Sequence, residues 1–218
     1  GADRLVKTQN NDGGWEWNNP DTDKATGTPS PFNTLGVTAQ SLLDAYKLTG
    51  DQRYLDASIS TYDAMVVNSV NTDPSTHRIR GPDIPFLVEL SEVTGNPVYS
   101  DFAKERWMSA KTEFGGGATG FAEFIRAGRV SQSLPAIVSW DINLYVQGAL
   151  ALDRYFPGQG FDKDASDMAE VIYDFLYVDL GFNFADTTQA EYWLSHTGAI
   201  ESFAKTGLHP IEKNQLVT

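Results

Sequence analysis

Cysteine is absent from all 218 residues, which excludes disulfides, thiolate nucleophiles and Cys-ligated zinc together. Histidine is scarce, with three copies scattered along the chain, so no His-rich metal centre is expected either. Long apolar runs are missing as well. The longest are interrupted by Asp, Asn or Gly well short of the roughly 20 residues that cross a bilayer, and no membrane span is expected. Basic charge is thin: 16 Lys and Arg face 29 Asp and Glu, leaving a formal net charge of -13 whose field repels phosphate backbones. The densest basic run, His77-Arg78-Ile79-Arg80, is short and has no interleaved aromatics of the kind that stack on single strands. Nucleic acid is therefore not an expected partner.

What the chain does have is a globular share of hydrophobic residues, 41%, arranged with helical period. The spacing predicts helices through Leu35, Ala39, Leu42, Leu43 and Tyr46; through Leu55, Ile59, Tyr62 and Val66; and through Tyr99, Phe102, Ala103 and Trp107. Further windows run through Ile142, Tyr145, Val146, Ala149, Leu152 and Phe156, through Ala165, Met168, Ala169, Ile172, Phe175 and Leu176, and through Trp193, Thr197, Ile200 and Phe203. Two more helices are expected near 82–93 and 119–127. The expected class is all-α, in one domain over 1–218.

The connections between windows repeat. Thr49-Gly50-Asp51 with Tyr54 is echoed by Thr94-Gly95-Asn96 with Tyr99, and Leu42-Leu43 by Leu87-Val88 at the same offset. The chemistry of the echo is local: Gly50 and Gly95 can turn left-handed to end a helix, and Asp51 and Asn96 can cap the next one. Pro97 then falls where a helix start tolerates proline. Two antiparallel helices joined by a tight turn follow from this, with looser relatives at Phe156-Pro157-Gly158 and Lys205-Thr206-Gly207. Between the hairpins lie long polar segments, 10–33, 68–81 and 115–134, of the kind that carry binding or catalysis.

The stretch Gln9-Asn10-Asn11-Asp12-Gly13-Gly14-Trp15, following a helix, resembles the Gln-Trp repeat of terpene cyclases and the similar stretch of helical pectate lyases. The Thr-Gly-Asp and Thr-Gly-Asn turns followed by Tyr are similar to those of helical-barrel glycosidases. The resemblance implies an α/α toroid of helical hairpins, open or incomplete because the chain supplies only about four to five of them. It implies that Gln9 ties off a helix end and that Trp15 packs on the neighbouring repeat. The Asp-x-Asp-Asp and Asp-Asp-x-x-Asp runs of terpene and prenyl chemistry are absent.

Several residues are candidates for chemistry. Trp15, Trp17, Trp140 and Trp193 could stack on sugar rings, with inter-repeat packing the preferred reading of Trp15 and Trp17 the better functional candidate. Arg78 and Arg80 could hold a planar anion. Asp83 and Asp141, each before a helical window, are the pair that would act as acid and base, with His196 as a further candidate, although Asp83 is more simply read as the cap of its helix. Glu191 is explained by a Thr188-x-x-Glu191 capping box. Asp162, Asp164 and Asp167 are read as acidic residues at a helix start, so no metal or cofactor is expected.

The leading expectation is thus a carbohydrate-active or carbohydrate-binding protein, taking a polysaccharide or oligosaccharide as a glycoside hydrolase, a polysaccharide lyase or a binder, in an extracellular or periplasmic setting. An isoprenoid-handling protein and a non-catalytic module attached to other domains of a longer surface protein remain open beside it. Inner helices that all begin at one end would gather Trp17, Asp83, Trp140 and Asp141 at one opening. Gly50, Gly95 and Gly207 would lie on the far side.

Overall fold

The computed structural model describes residues 1–16, 24–25, 35–69, 83–113 and 143–173. Among these, every regular element is a helix: α1 (Ala2–Thr8), α2 (Leu35–Thr49), α3 (Gln52–Ser69), α4 (Asp83–Thr94), α5 (Val98–Glu113), α6 (Asn143–Tyr155) and α7 (Phe161–Tyr173). The windows expected at 119–127 and 193–203 lie outside the described residues. No helix among the described residues is long and apolar enough to cross a membrane. The chain divides into two compact units, Gly1–Glu105 and Arg106–Thr218.

In the first unit, α2 is joined to α3 and α4 to α5 by two turns built by the same bonds. Gly50 takes φ of 72° and its N–H donates to the Tyr46 carbonyl at 2.7 Å; Gly95 takes φ of 70° and donates to the Ser91 carbonyl at 2.8 Å. The hydroxyls of Thr49 and Thr94 each donate to the carbonyl four residues back, at 2.7 Å. Each hydroxyl oxygen also accepts from the amide two residues on, Asp51 or Asn96, at 3.2 Å. The Asp51 and Asn96 side chains then accept from the amides of Arg53 and Val98, at 3.0 and 3.2 Å, which caps α3 and α5. A few residues of local chemistry therefore reproduce one turn twice.

The helices α2 and α4 run in the same direction. The Gly36 amide, in the first turn of α2, meets Asp83 at the start of α4, while Lys47 near the end of α2 pairs with Glu89 farther along α4. α4 is enclosed on nearly every side: Ile84, Phe86, Leu87, Val88 and Leu90 are all fully buried, as expected of a helix apolar on most of its faces. Pro85 breaks nothing there, because it lies in the first turn, where its missing N–H has no intrahelical partner to lose.

The face that α3 buries is only partly the one its large hydrophobic residues mark out. Ile59, Tyr62 and Val66 are only partly covered, whereas Ser58 and Thr61 are completely buried beside Leu55, Ala64 and Met65. The cause is close approach. The Ser58 hydroxyl lies 3.3 Å from the Ala39 carbonyl of α2, and a larger residue would push the helices apart. Both hydroxyls also donate to their own i−4 carbonyls, Ser58 to Tyr54 at 2.9 Å and Thr61 to Ala57 at 3.1 Å, so neither is buried without a bond. Tyr62 packs edge-on to Tyr99 and Phe102 of α5, at centroid separations of 4.8 and 5.4 Å.

In the second unit, α6 and α7 form a further hairpin whose core holds Val146, Ala149, Leu152, Phe161, Ala165 and Met168. Its turn is looser. Phe156 donates back to the Leu152 carbonyl at 2.7 Å, and two glycines with positive φ, Gly158 and Gly160, reverse the chain. Fully buried Trp107 is anchored within this unit: its indole N–H donates to Asp164 Oδ2 at 3.1 Å, while Lys111 Nζ donates to Asp164 Oδ1 at 2.5 Å.

Candidate functional site

Two arrangements in the first unit involve residues singled out by the sequence. The first surrounds Asp83. Its side chain is 2% exposed, and Oδ1 accepts the Gly36 N–H at 2.9 Å across 47 residues of chain. Gly36 is the second residue of α2, so its amide is one of the helix-start donors with no intrahelical acceptor, and Asp83 supplies that acceptor. The approach is tight enough to exclude any side chain. A Cβ on Gly36 would lie 2.3 Å from Asp83 Oδ1 and 2.7 Å from Asp83 Cα.

Periodicity and motif alone do not mark Gly36. The signal that could have found it is a glycine in the first turn of a strongly periodic helix, which often marks a close backbone approach. Its counterpart at the 45-residue offset is also a glycine, Gly81.

The second arrangement is the Gln9–Trp15 stretch. The Gln9 side-chain amide donates to the Ala57 carbonyl of α3 and to the Gly13 carbonyl, both at 2.8 Å, and approaches the Thr61 hydroxyl at 3.3 Å. Asn10 and Gly14 close the loop with a backbone bond of 2.8 Å, and Asp12 Oδ1 accepts the Gly14 amide at 3.0 Å in an Asx turn. Gly13 takes φ of 89° and lies directly on α3: a Cβ there would fall 1.9 Å from the Ser60 carbonyl oxygen. Trp15 is 6% exposed and donates its indole N–H to the Leu5 carbonyl at 2.8 Å, satisfying one of the last carbonyls of α1. The stretch binds the end of α1 to the middle of α3, and Trp15 presents little ring surface to solvent.

Asp83 stands at the end of α4 opposite the Gly95 turn, about 18 Å away along a helix of this length. Of the other residues marked by sequence, Trp17, Arg78, Arg80, Trp140, Asp141, Trp193 and His196 lie outside the described residues, as do Glu191 and Gly207. Two of the three acidic residues read there have partners of their own: Asp164 holds Trp107 and Lys111, and Asp167 pairs with Lys163 at 2.5 Å. Among the described residues no group of three or more His, Asp or Glu side chains is gathered to hold a metal ion.

Electrostatic perturbation is evident at the first turn. The Arg53 side chain, and then its backbone amide, hold the Asp51 carboxyl below the usual carboxylate range. Tyr62 is raised above the ordinary phenol value, first by burial and then by Tyr99. Neither group adjoins the start of α4. No family model, no curated protein and no solved structure matches the chain.

Proposed function

We propose that this chain is a helical-hairpin repeat protein of the α/α-toroid type whose long segments, at the end where the inner helices start, form a tryptophan-bearing cleft for a polysaccharide or oligosaccharide. The observation that carries this reading is the 2.9 Å bond between Gly36 and Asp83. It joins the starts of α2 and α4, and the segments that hold Trp17 on one side and Arg78 and Arg80 on the other lead directly into those two starts. A sugar-binding cleft needs flat aromatic faces and polar groups on a rigid base, and the bond supplies that base.

Two further features support the toroid reading. The hairpins α2–α3 and α4–α5 are built by the same turn chemistry, and their first helices run in the same direction. The Gln9–Trp15 stretch acts as an inter-helix tie, the role that its resemblance to toroid repeats implies. The proposed setting is extracellular or periplasmic, where polysaccharide is encountered.

The test is a glycan array run beside hydrolysis and lyase assays on the same polysaccharides. Binding with product assigns an enzyme, and binding without product assigns a recognition module. A chain that binds none of the glycans and releases no product is not a carbohydrate protein.

A further inference from the structure

We propose that the Asp12–Gly13 bond is a site of spontaneous isoaspartate formation, whatever ligand the molecule takes, and that the fold gates this modification by holding the Gly13 amide inside the closed Gln9–Trp15 loop.

The chemistry begins in the sequence. When an aspartate is followed by glycine, the next backbone nitrogen reaches the side-chain carbon with least obstruction, because glycine has no Cβ in the way. Asp12–Gly13 is the only Asp-Gly pair in the chain, and there is no Asn-Gly. In the reaction the Gly13 nitrogen gives its proton to solvent and bonds to Asp12 Cγ, while the protonated carboxyl releases one oxygen as water. The succinimide so formed takes water back at one of its two carbonyls. Opening at Cγ restores aspartate. Opening at the Asp12 backbone carbonyl routes the main chain through Cβ and leaves isoaspartate, with no net change in mass.

The structure separates the two reacting groups. Asp12 is exposed and open to water, whereas Gly13 is buried. The Gly13 N–H donates to the Asn10 carbonyl at 2.9 Å, which holds the proton that has to leave. The Gly13 carbonyl accepts from Gln9 Nε2 at 2.8 Å, and the same nitrogen donates to the Ala57 carbonyl of α3. Asp12 Oδ1 accepts the Gly14 amide, one residue beyond the nitrogen that attacks. Gly13 also rests on α3 so closely that a Cβ would fall 1.9 Å from the Ser60 carbonyl oxygen, so the residue has no room to rotate inward. Attack on Asp12 therefore requires the loop to open. The product adds one main-chain atom between the residues that close the Asn10–Gly13 turn, so the modified loop does not regain the same set of bonds.

The experiment holds the full chain at neutral pH and physiological temperature, in buffer and in concentrated guanidinium chloride. Isoaspartate at position 12 is counted by peptide mapping with a protease that cleaves before aspartate but not before isoaspartate. Hydrogen exchange of the Gly13 amide is measured on the native chain by NMR. Modification should accumulate in denaturant and be slowed roughly 10- to 100-fold in the native chain, by about the factor that the fold slows Gly13 exchange. Gln9→Ala removes the tie to α3 and should speed both processes together.

No isoaspartate at position 12 in denaturant would remove the site. Equal rates in buffer and denaturant, with Gly13 exchange still slowed, would overturn the gate. Modification slowed far more than Gly13 exchange would show that opening of the loop is not the controlling step, and this comparison in the parent chain decides the proposal even if Gln9→Ala fails to fold.

Discussion

The indole N–H of Trp15 donates to the Leu5 carbonyl at 2.8 Å, so a buried ring of the first loop also closes the open end of α1. Packing and hydrogen bonding should separate on substitution. Trp15→Phe keeps most of the buried ring and loses one bond, for an expected cost of about 1 to 2 kcal/mol, whereas Trp15→Ala should cost about 3 to 5 kcal/mol. Urea unfolding of the two variants measures both. Equal losses would mean that the hydrogen bond, not the ring, holds α1 in place.

Glycines that look alike in the sequence should respond differently to alanine. Gly50 and Gly95 have positive φ, but a Cβ added at either would meet nothing within 4 Å. Each Ala variant should therefore lose only the conformational ~1–2 kcal/mol, and by similar amounts. Gly13 adds a collision with the Ser60 carbonyl to the same backbone strain, so Gly13→Ala should cost more, about 2 to 6 kcal/mol in sum. Denaturant midpoints for the three variants give the ranking. A Gly13→Ala protein as stable as Gly50→Ala would mean that the loop does not rest on α3.

The contrast among these glycines shows which parts of the fold are legible in the sequence. The turns at Gly50 and Gly95 can be read because every bond that forms them lies within a few residues. Asp83 stands out as a residue of consequence, but its partner Gly36 is 47 residues away and carries no side chain to advertise the contact. The buried face of α3 is hidden for a related reason: Ser58 and Thr61 are polar, yet their hydroxyls bond to their own helix, and this permits complete burial that a hydrophobic count does not register. Local chemistry is visible in the chain, and long-range backbone approach is not.

Acid should affect the two equivalent turns unequally. Asp51 is held below the ordinary carboxylate range chiefly by the Arg53 side chain, and Asn96 in the matching position does not titrate. A carboxyl whose folded-state pKa lies below its unfolded value of about 3.9 adds stability that is present above that pH and is lost as pH falls through the folded value. The α2–α3 turn should therefore loosen below about pH 4 while the α4–α5 turn does not. Carboxyl-carbon NMR titration should find Asp51 below the usual range, and Arg53→Ala should move it back. A titration unmoved by that substitution would remove Arg53 as the cause.

In the second unit one carboxylate serves two donors on the same helix. Asp164 accepts from the indole of fully buried Trp107 through Oδ2 and from Lys111 through Oδ1, and its own side chain is only 12% exposed. Removing a buried acceptor costs more than its bond contributes, because the donors lose their partner without regaining water. Asp164→Ala should therefore destabilise the unit by about 2 to 4 kcal/mol. Lys111→Met leaves the indole bond intact and should cost less, about 1 kcal/mol, since Lys111 is the more exposed partner at 26%. Tryptophan fluorescence followed through urea unfolding reports both variants. If Lys111→Met proves as damaging as Asp164→Ala, the ion pair rather than the indole bond anchors α5 to α7.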